Sequence, residues 1–237
     1  IPAKGNYKIK SVCQNAEASW NYDDWVLNIK NINNEARCIL NFTTENPKNL
    51  ATYIMGLGTE DGVYNEPATD YRYEGENPDN WLMFNNELWR IIGVFDESTH
   101  GKTGENLVKI IRGTSIGAFA WDKSNTNNWP ASSLYNLLNS NYYNGTNEES
   151  LTNCYQYSTT IPGICNFTET GITSNYYREM IENVTWKLGG IASMSTADAV
   201  YTAERGTTVY TGRESETSGH IGLMYASDYG YSVLETS

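Results

Sequence analysis

Apolar and polar positions alternate over short runs through most of the chain, and the clearest run is Asn80 to Phe95. There two β-prone stretches, Trp81-Leu82-Met83-Phe84 and Leu88-Trp89-Arg90-Ile91-Ile92, flank the dipeptide Asn85-Asn86. Asparagine tolerates the positive φ that a two-residue connection requires, so the pattern predicts a β-hairpin. Nearer the N-terminus a strand begins at Tyr7 and runs to Cys13. Trp25, Leu27 and Ile29 recur on one face, as do Cys38, Leu40 and Phe42. Asn31 to Asn34 is turn chemistry. Tyr71-Arg72-Tyr73 and Leu107 to Arg112 add strands.

Helical spacing is rarer. Leu50 to Met55 predicts a short helix stopped by Gly56 and Gly58. Leu134, Leu137 and Leu138 share one face of Ser132 to Tyr143, with Ser132 as N-cap, Pro130 before it and Gly145 as the stop. Tyr176 to Val184 has the same period and predicts a second helix. Gly189-Gly190, Arg205-Gly206 and Gly212 then punctuate short strands. The expected organisation is α+β: a small all-β module at 1–45, a connector at 46–69 and a larger domain at 70–237.

Four cysteines fall into two local pairs, Cys13 with Cys38 and Cys154 with Cys165. None forms a CxxC, and His100 and His220 are distant from each in sequence, so the spacing argues against zinc. Two disulfides of an exported protein fit best, with buried free thiols as the alternative. The first bridge matters more, because a module of about 45 residues is near the size at which a core alone fails.

Charge narrows the partners. Asp and Glu number 28 against 16 Lys and Arg, a net charge of −12, which repels nucleic-acid backbones and anionic membrane surfaces. No apolar run is long enough to span a bilayer. Ile1-Pro2-Ala3-Lys4-Gly5 reads as a processed terminus. The sequons at Asn41, Asn144, Asn166 and Asn183 would accept glycans only in a eukaryotic secretory route.

The residues spell out no reaction. Neither histidine lies beside a nucleophile motif, and no glycine-rich phosphate loop occurs. The adjacent acids Asp23-Asp24 and Glu148-Glu149 read as solvated charges rather than a glycosidase pair. No metal or cofactor is expected, and the chain reads as non-enzymatic. A candidate binding surface is the loop from Ala120 to Pro130, where Trp121, Asp122, Asn127, Asn128 and Trp129 combine aromatic faces with hydrogen-bonding groups suited to a glycan or a protein. The competing reading has both tryptophans anchoring the loop onto the helix that begins at Ser132.

Residues 70 to 232 resemble a domain of unknown function found in secreted proteins of Gram-positive bacteria. The resemblance is carried by Phe84 to Gly93, Ser133 to Asn139, Ile181 to Trp186 with Gly189-Gly190, Glu204 to Tyr210, and Gly222 to Tyr231. It implies a C-type-lectin-like fold with two helices and a curved antiparallel sheet. Cys13, Cys38, Trp20 and Trp25 likewise resemble a short immunoglobulin-like module that precedes such domains. The fold is also similar to formylglycine-generating enzymes, but Cys154 and Cys165 do not match their cysteine motif. Calcium-dependent lectin motifs are not met either: Asn65-Glu66-Pro67-Ala68 precedes the domain, and Trp121-Asp122-Lys123 lacks the second acid.

Members of this family usually continue into another cysteine-containing loop and closing strands, so the resemblance leaves three readings: these residues are a fragment, the closing strands come from elsewhere, or that ending is not obligatory. On the second reading the expectation is an extracellular or cell-surface structural subunit that self-associates, or joins another surface protein, by strand complementation. Ile1, Pro2, Ala3, Lys4 and Gly5 are the candidate donor strand. The alternative is an adhesin for a glycan or a host protein.

Overall fold

The computed structural model describes residues 7–33, 35–44, 49–67, 69–149, 152–155, 163–190 and 196–233. The candidate donor Ile1 to Gly5 lies outside them. The chain divides into two compact units, Ile1–Asn49 and Leu50–Ser237, and both disulfides are formed.

The first unit is all-β. Strand β1 (Tyr7–Gln14) pairs antiparallel with β4 (Arg37–Thr44), and β2 (Glu17–Asn21) with β3 (Val26–Lys30). Cys13 stands directly opposite Cys38, with Cα atoms 4.1 Å apart, so the first disulfide closes the β1–β4 ladder. The Ser11 hydroxyl donates to Ala18 O at 3.2 Å. Trp20 sits edge-on to Trp25 and Phe42, at 5.1 and 5.4 Å between ring centres, and this aromatic cluster takes the place of a larger core. The expected Trp25, Leu27, Ile29 face does not form. Trp25 has φ +58° and belongs to the turn before β3, so its phase is broken, and Ile29 is exposed.

The second unit is mixed α/β, dominated by antiparallel sheet that curls into a half-barrel. Its elements are α1 (Leu50–Met55), β5 (Val63–Tyr64), β6 (Tyr71–Tyr73), β7 (Trp81–Phe84), β8 (Glu87–Phe95), α2 (Glu97–His100) and β9 (Leu107–Arg112). They continue with α3 (Ser133–Leu137), β10 (Asn147–Glu148), β11 (Cys165–Asn166), α4 (Asn175–Arg178), β12 (Val184–Lys187), α5 (Ala197–Glu204), β13 (Glu216–Gly219) and α6 (Ala226–Gly230). β8 is the spine. One edge pairs with β7 through Glu87 to Arg90 and with β6 through Gly93 and Val94, and the opposite edge pairs with β9.

The hairpin turn is as expected: Asn85 and Asn86 have φ +52° and +62°, and Phe84 faces Glu87. The β8–β9 ladder slips between Ile91 and Gly93, a bulge that bends the sheet. Gly93 is required there, because a methyl group would collide with the Tyr71 carbonyl oxygen on β6.

Two apolar clusters hold this unit. One gathers Phe84, Trp89, Trp129, Leu137, Leu138, Tyr142, Phe167 and Ile172 with the Cys154–Cys165 bridge. The other gathers Ala51, Ile54, Val63, Tyr73, Ile91 and Val94. The segment expected as a connector thus supplies three core residues. Helix α3 forms on its Ser132 cap, which accepts from Tyr135 N at 3.0 Å, and runs on as a π-turn over Leu138–Tyr142 before Gly145.

The second helix is much shorter than its spacing implies. Only Asn175–Arg178 is helical, and Val184–Lys187 is a strand paired with β13. Val184, Thr185 and Trp186 are β-branched or aromatic and gain a partner strand. Tyr176 and Met180, on the periodic face, stay exposed.

Candidate functional site

The Trp121–Trp129 loop is tied down from within. Asp122 is 5% exposed. One of its carboxylate oxygens accepts from Ser124 N (2.9 Å), Thr126 N (3.2 Å) and Thr126 Oγ1 (2.9 Å). The other accepts from Ser133 N (3.1 Å) and Ser133 Oγ (3.2 Å) at the start of α3. Burial opposes the charge on this carboxylate, but these donors outweigh burial and hold its pKa down at about 2. Trp129 is 7% exposed, packs edge-on to Tyr135 at 5.5 Å and belongs to the larger core.

Three of the five candidate residues reach solvent to some degree. Trp121 is 40% exposed and lies 5.1 Å from Trp129, Asn127 is exposed, and Asn128 is half-buried. Asp122 and Trp129 therefore organise the loop, and Trp121 and Asn127 present its surface.

Both histidines have structural partners. His100 is buried; its Nδ1 accepts from Lys102 N (3.1 Å), which leaves the proton on Nε2 to donate to Phe95 O (3.1 Å). His220 stacks on Tyr143 with ring centres 4.2 Å apart and bonds Ile181 O at 3.1 Å. Among the described residues no cysteine is free, and no His, Cys, Asp and Glu side chains converge as a metal site. The Glu148-Glu149 reading needs correction. Glu148 is buried and accepts from Thr152 N and Oγ1 at 3.1 and 3.2 Å, because its strand β10 pairs with the disulfide-bearing β11 and turns that side chain inward.

The densest polar constellation escaped the sequence pattern. Arg72, on β6, is 1% exposed and donates to Asp228 Oδ1 (2.9 Å) and Asp70 Oδ2 (3.3 Å). Lys109, on β9, pairs with the other oxygen of Asp228. The Arg72 guanidinium lies over Phe95 and Tyr231, at 4.7 and 4.9 Å. Glu204 accepts from Ser227 N (3.3 Å) and Oγ (2.5 Å), linking α5 to α6. Arg205 stacks 3.5 Å from the Tyr201 ring centre.

Burial pushes Asp228 up, but the Lys109 and Arg72 charges prevail and hold its carboxyl below the usual range. For Asp70 burial prevails over Arg72, and its pKa is raised. Three cations meet three carboxylates, so the network is near neutral and works as a lock between sheet and C-terminal helices. The available signal was a charge in the middle of an apolar strand, Arg72 between two tyrosines and Lys109 between Val108 and Ile110.

Two surfaces remain open. On the hairpin, Trp81, Met83 and Leu88 are exposed at 43, 63 and 51%, and Met83 faces Leu88 in register. On β9, the edge away from β8 has no strand partner among the described residues. Both charged side chains of β9 turn to their own unit, Lys109 to Asp228 and Arg112 to Glu87 at 2.8 Å. No helix is long and apolar enough to cross a membrane among the described residues. No family model, curated protein or solved structure matches this chain.

Proposed function

We propose that the chain is a non-enzymatic structural subunit of an extracellular surface that associates with further copies of itself by strand addition at β9. The observation that carries this reading is the six-residue β9 edge. It has no proline and no outward charge to guard it, because Lys109 and Arg112 are both engaged within the unit. Unguarded edges of this kind recruit strands. The exposed Trp81, Met83 and Leu88 give apolar area for the same association. An immunoglobulin-like first unit and a C-type-lectin-like second unit, as in the bacterial family that the motifs resemble, fit such a role. Two disulfides fit an oxidising compartment.

The test is light scattering coupled to size-exclusion chromatography, followed by negative-stain microscopy, on the oxidised full chain. Mass that rises with concentration, and rises further with salt as the self-repulsion of −12 charges is screened, is the expected result. A strict monomer at every concentration and salt level overturns the reading.

The adhesin reading keeps one specific support: Trp121 presents an open ring face beside buried Trp129. Trp121→Ala should then abolish capture of a glycan or host protein without unfolding the loop, which Asp122 holds.

A further inference from the structure

Strand β9 runs six residues along the rim of its sheet, and none of the six is fully buried. Its backbone groups divide by alternation. Gly113 N donates to Leu88 O at 2.9 Å, while Ile91 N donates to Asn80 O at 2.8 Å, away from β9. Gly113 and Ile111 therefore turn their N–H and C=O groups to β8, and Ile110 turns its own outward. The bulge inserts its extra residue into β8, so β9 keeps the alternation past it. Val108, Ile110 and Arg112 thus point both backbone groups away from the sheet. None of the three has a backbone hydrogen bond outside the β8–β9 ladder among the described residues.

An open edge by itself is a solvated edge. The order of side chains along this one makes the difference, because it complements itself. When β9 runs antiparallel to a second β9 with Ile110 opposite the partner's Ile110, Val108 stands opposite the partner's Arg112. Each of these pairs exchanges both N–H···O bonds, so every outward group of Val108, Ile110 and Arg112 is satisfied. Lys109 then stands opposite the partner's Ile111, and no cation faces a cation. Sliding by two residues one way sets Lys109 against the partner's Lys109. Sliding the other way leaves Val108 opposite Thr114, beyond the strand. The outer edge of β7 is four residues long and would leave part of β9 unpaired.

We propose that two copies of the chain pair β9 against β9, antiparallel about a two-fold axis at Ile110, so that the association is a closed dimer. The inference rests on strand addition at β9 and specifies its partner strand and register. A pairing of this kind buries the same edge of both copies and leaves neither β9 open to a third.

The test is amide hydrogen exchange read by NMR, with sedimentation equilibrium, on the oxidised full chain over a range of concentrations. The expected mass rises and levels at two chains. The amides of Val108, Ile110 and Arg112 should gain protection with concentration, while those of Leu107, Lys109 and Ile111 are protected throughout. Ile111→Lys sets a cation against the partner's Lys109 on both sides of the axis and should weaken dimerisation roughly tenfold. Ile111→Glu should dimerise at least as tightly as the parent chain, although it is more negative. Were overall charge in control, the less negative lysine variant would associate better. Circular dichroism checks that both variants fold; if Ile111→Lys does not, the alternating amide pattern of the parent chain carries the test. A strict monomer, or association that leaves the three outward amides exchanging freely, overturns strand addition at β9 and this proposal with it. Protection of those amides with mass growing past two chains, or with Ile111→Lys associating more tightly than Ile111→Glu, leaves strand addition standing and overturns the two-fold pairing.

Discussion

Arg72 and Asp228, 156 residues apart in sequence, form a fully buried ion pair at 2.9 Å that fastens the sheet to α6. Asp70 and Lys109 complete it from neighbouring positions. Removing Arg72 takes the ion-pair partner from Asp70 and leaves Asp228 with Lys109 alone in a low-dielectric site, and the penalty for an undercompensated buried charge is large. Arg72→Met should therefore lower unfolding free energy by about 3–5 kcal/mol in urea titrations. Arg72→Lys should restore only part of that, because one ammonium cannot serve Asp70 and Asp228 with the two nitrogens the guanidinium uses.

The Asp122 loop predicts an acid-sensitive step. Its folded pKa of about 2 lies below the ordinary carboxylate value of 3.8. A depressed acid stabilises the fold above the unfolded pKa and loses that contribution as pH falls through the folded one. The window is therefore pH 4 down to about 2, with roughly 2 kcal/mol at stake. Asp228, also depressed, acts in the same direction, and Asp70, raised, acts in the opposite one. Asp122→Asn should be less stable at neutral pH, and its difference from the parent chain should shrink across that window. Denaturation midpoints measured at several pH values check this.

The first disulfide should govern only the first unit. Replacing Cys13 and Cys38 together by alanine removes the link across β1 and β4, worth about 2–4 kcal/mol. Calorimetry should show a low-temperature transition shifted or lost, with the transition of Leu50–Ser237 in place.

Gly93 on β8 lies against the Tyr71 carbonyl of β6. Gly93→Ala should cost about 2–4 kcal/mol through a clash with the Tyr71 carbonyl that the bulged strand cannot relieve. Gly212, with nothing near its missing Cβ, makes a useful contrast, although its φ of +78° still disfavours a side chain.

On the hairpin surface, Met83→Lys together with Leu88→Glu, which places opposite charges at this facing pair, should leave stability within about 0.5 kcal/mol, since both side chains are exposed. If the face serves association, sedimentation velocity should show less self-association in the double variant.

Local chemistry was legible before the fold was. Asn85-Asn86 specified its hairpin, because a two-residue connection has few solutions and asparagine accepts them. Ser132 specified the start of α3 through its own hydroxyl. The cysteine pairs marked their partners by proximity in sequence. The helix expected over Tyr176 to Val184 was legible only at its start: at its far end the helical period met β-propensity, and β13, over thirty residues later, decided the contest by pairing with Val184–Lys187.

The candidate loop shows the same division. Its aromatics and amides were visible as a binding composition, but burial assigned Asp122 and Trp129 to holding the loop and left Trp121 and Asn127 to solvent. The sequence by itself determined what depends on neighbours along the chain: the turns, the helix cap, the acidic balance and the cysteine pairs. Only the tertiary structure decided which charges are buried together and which strand edge stays open. Those properties arise between residues far apart in sequence, where no local propensity acts and only packing brings the groups within reach.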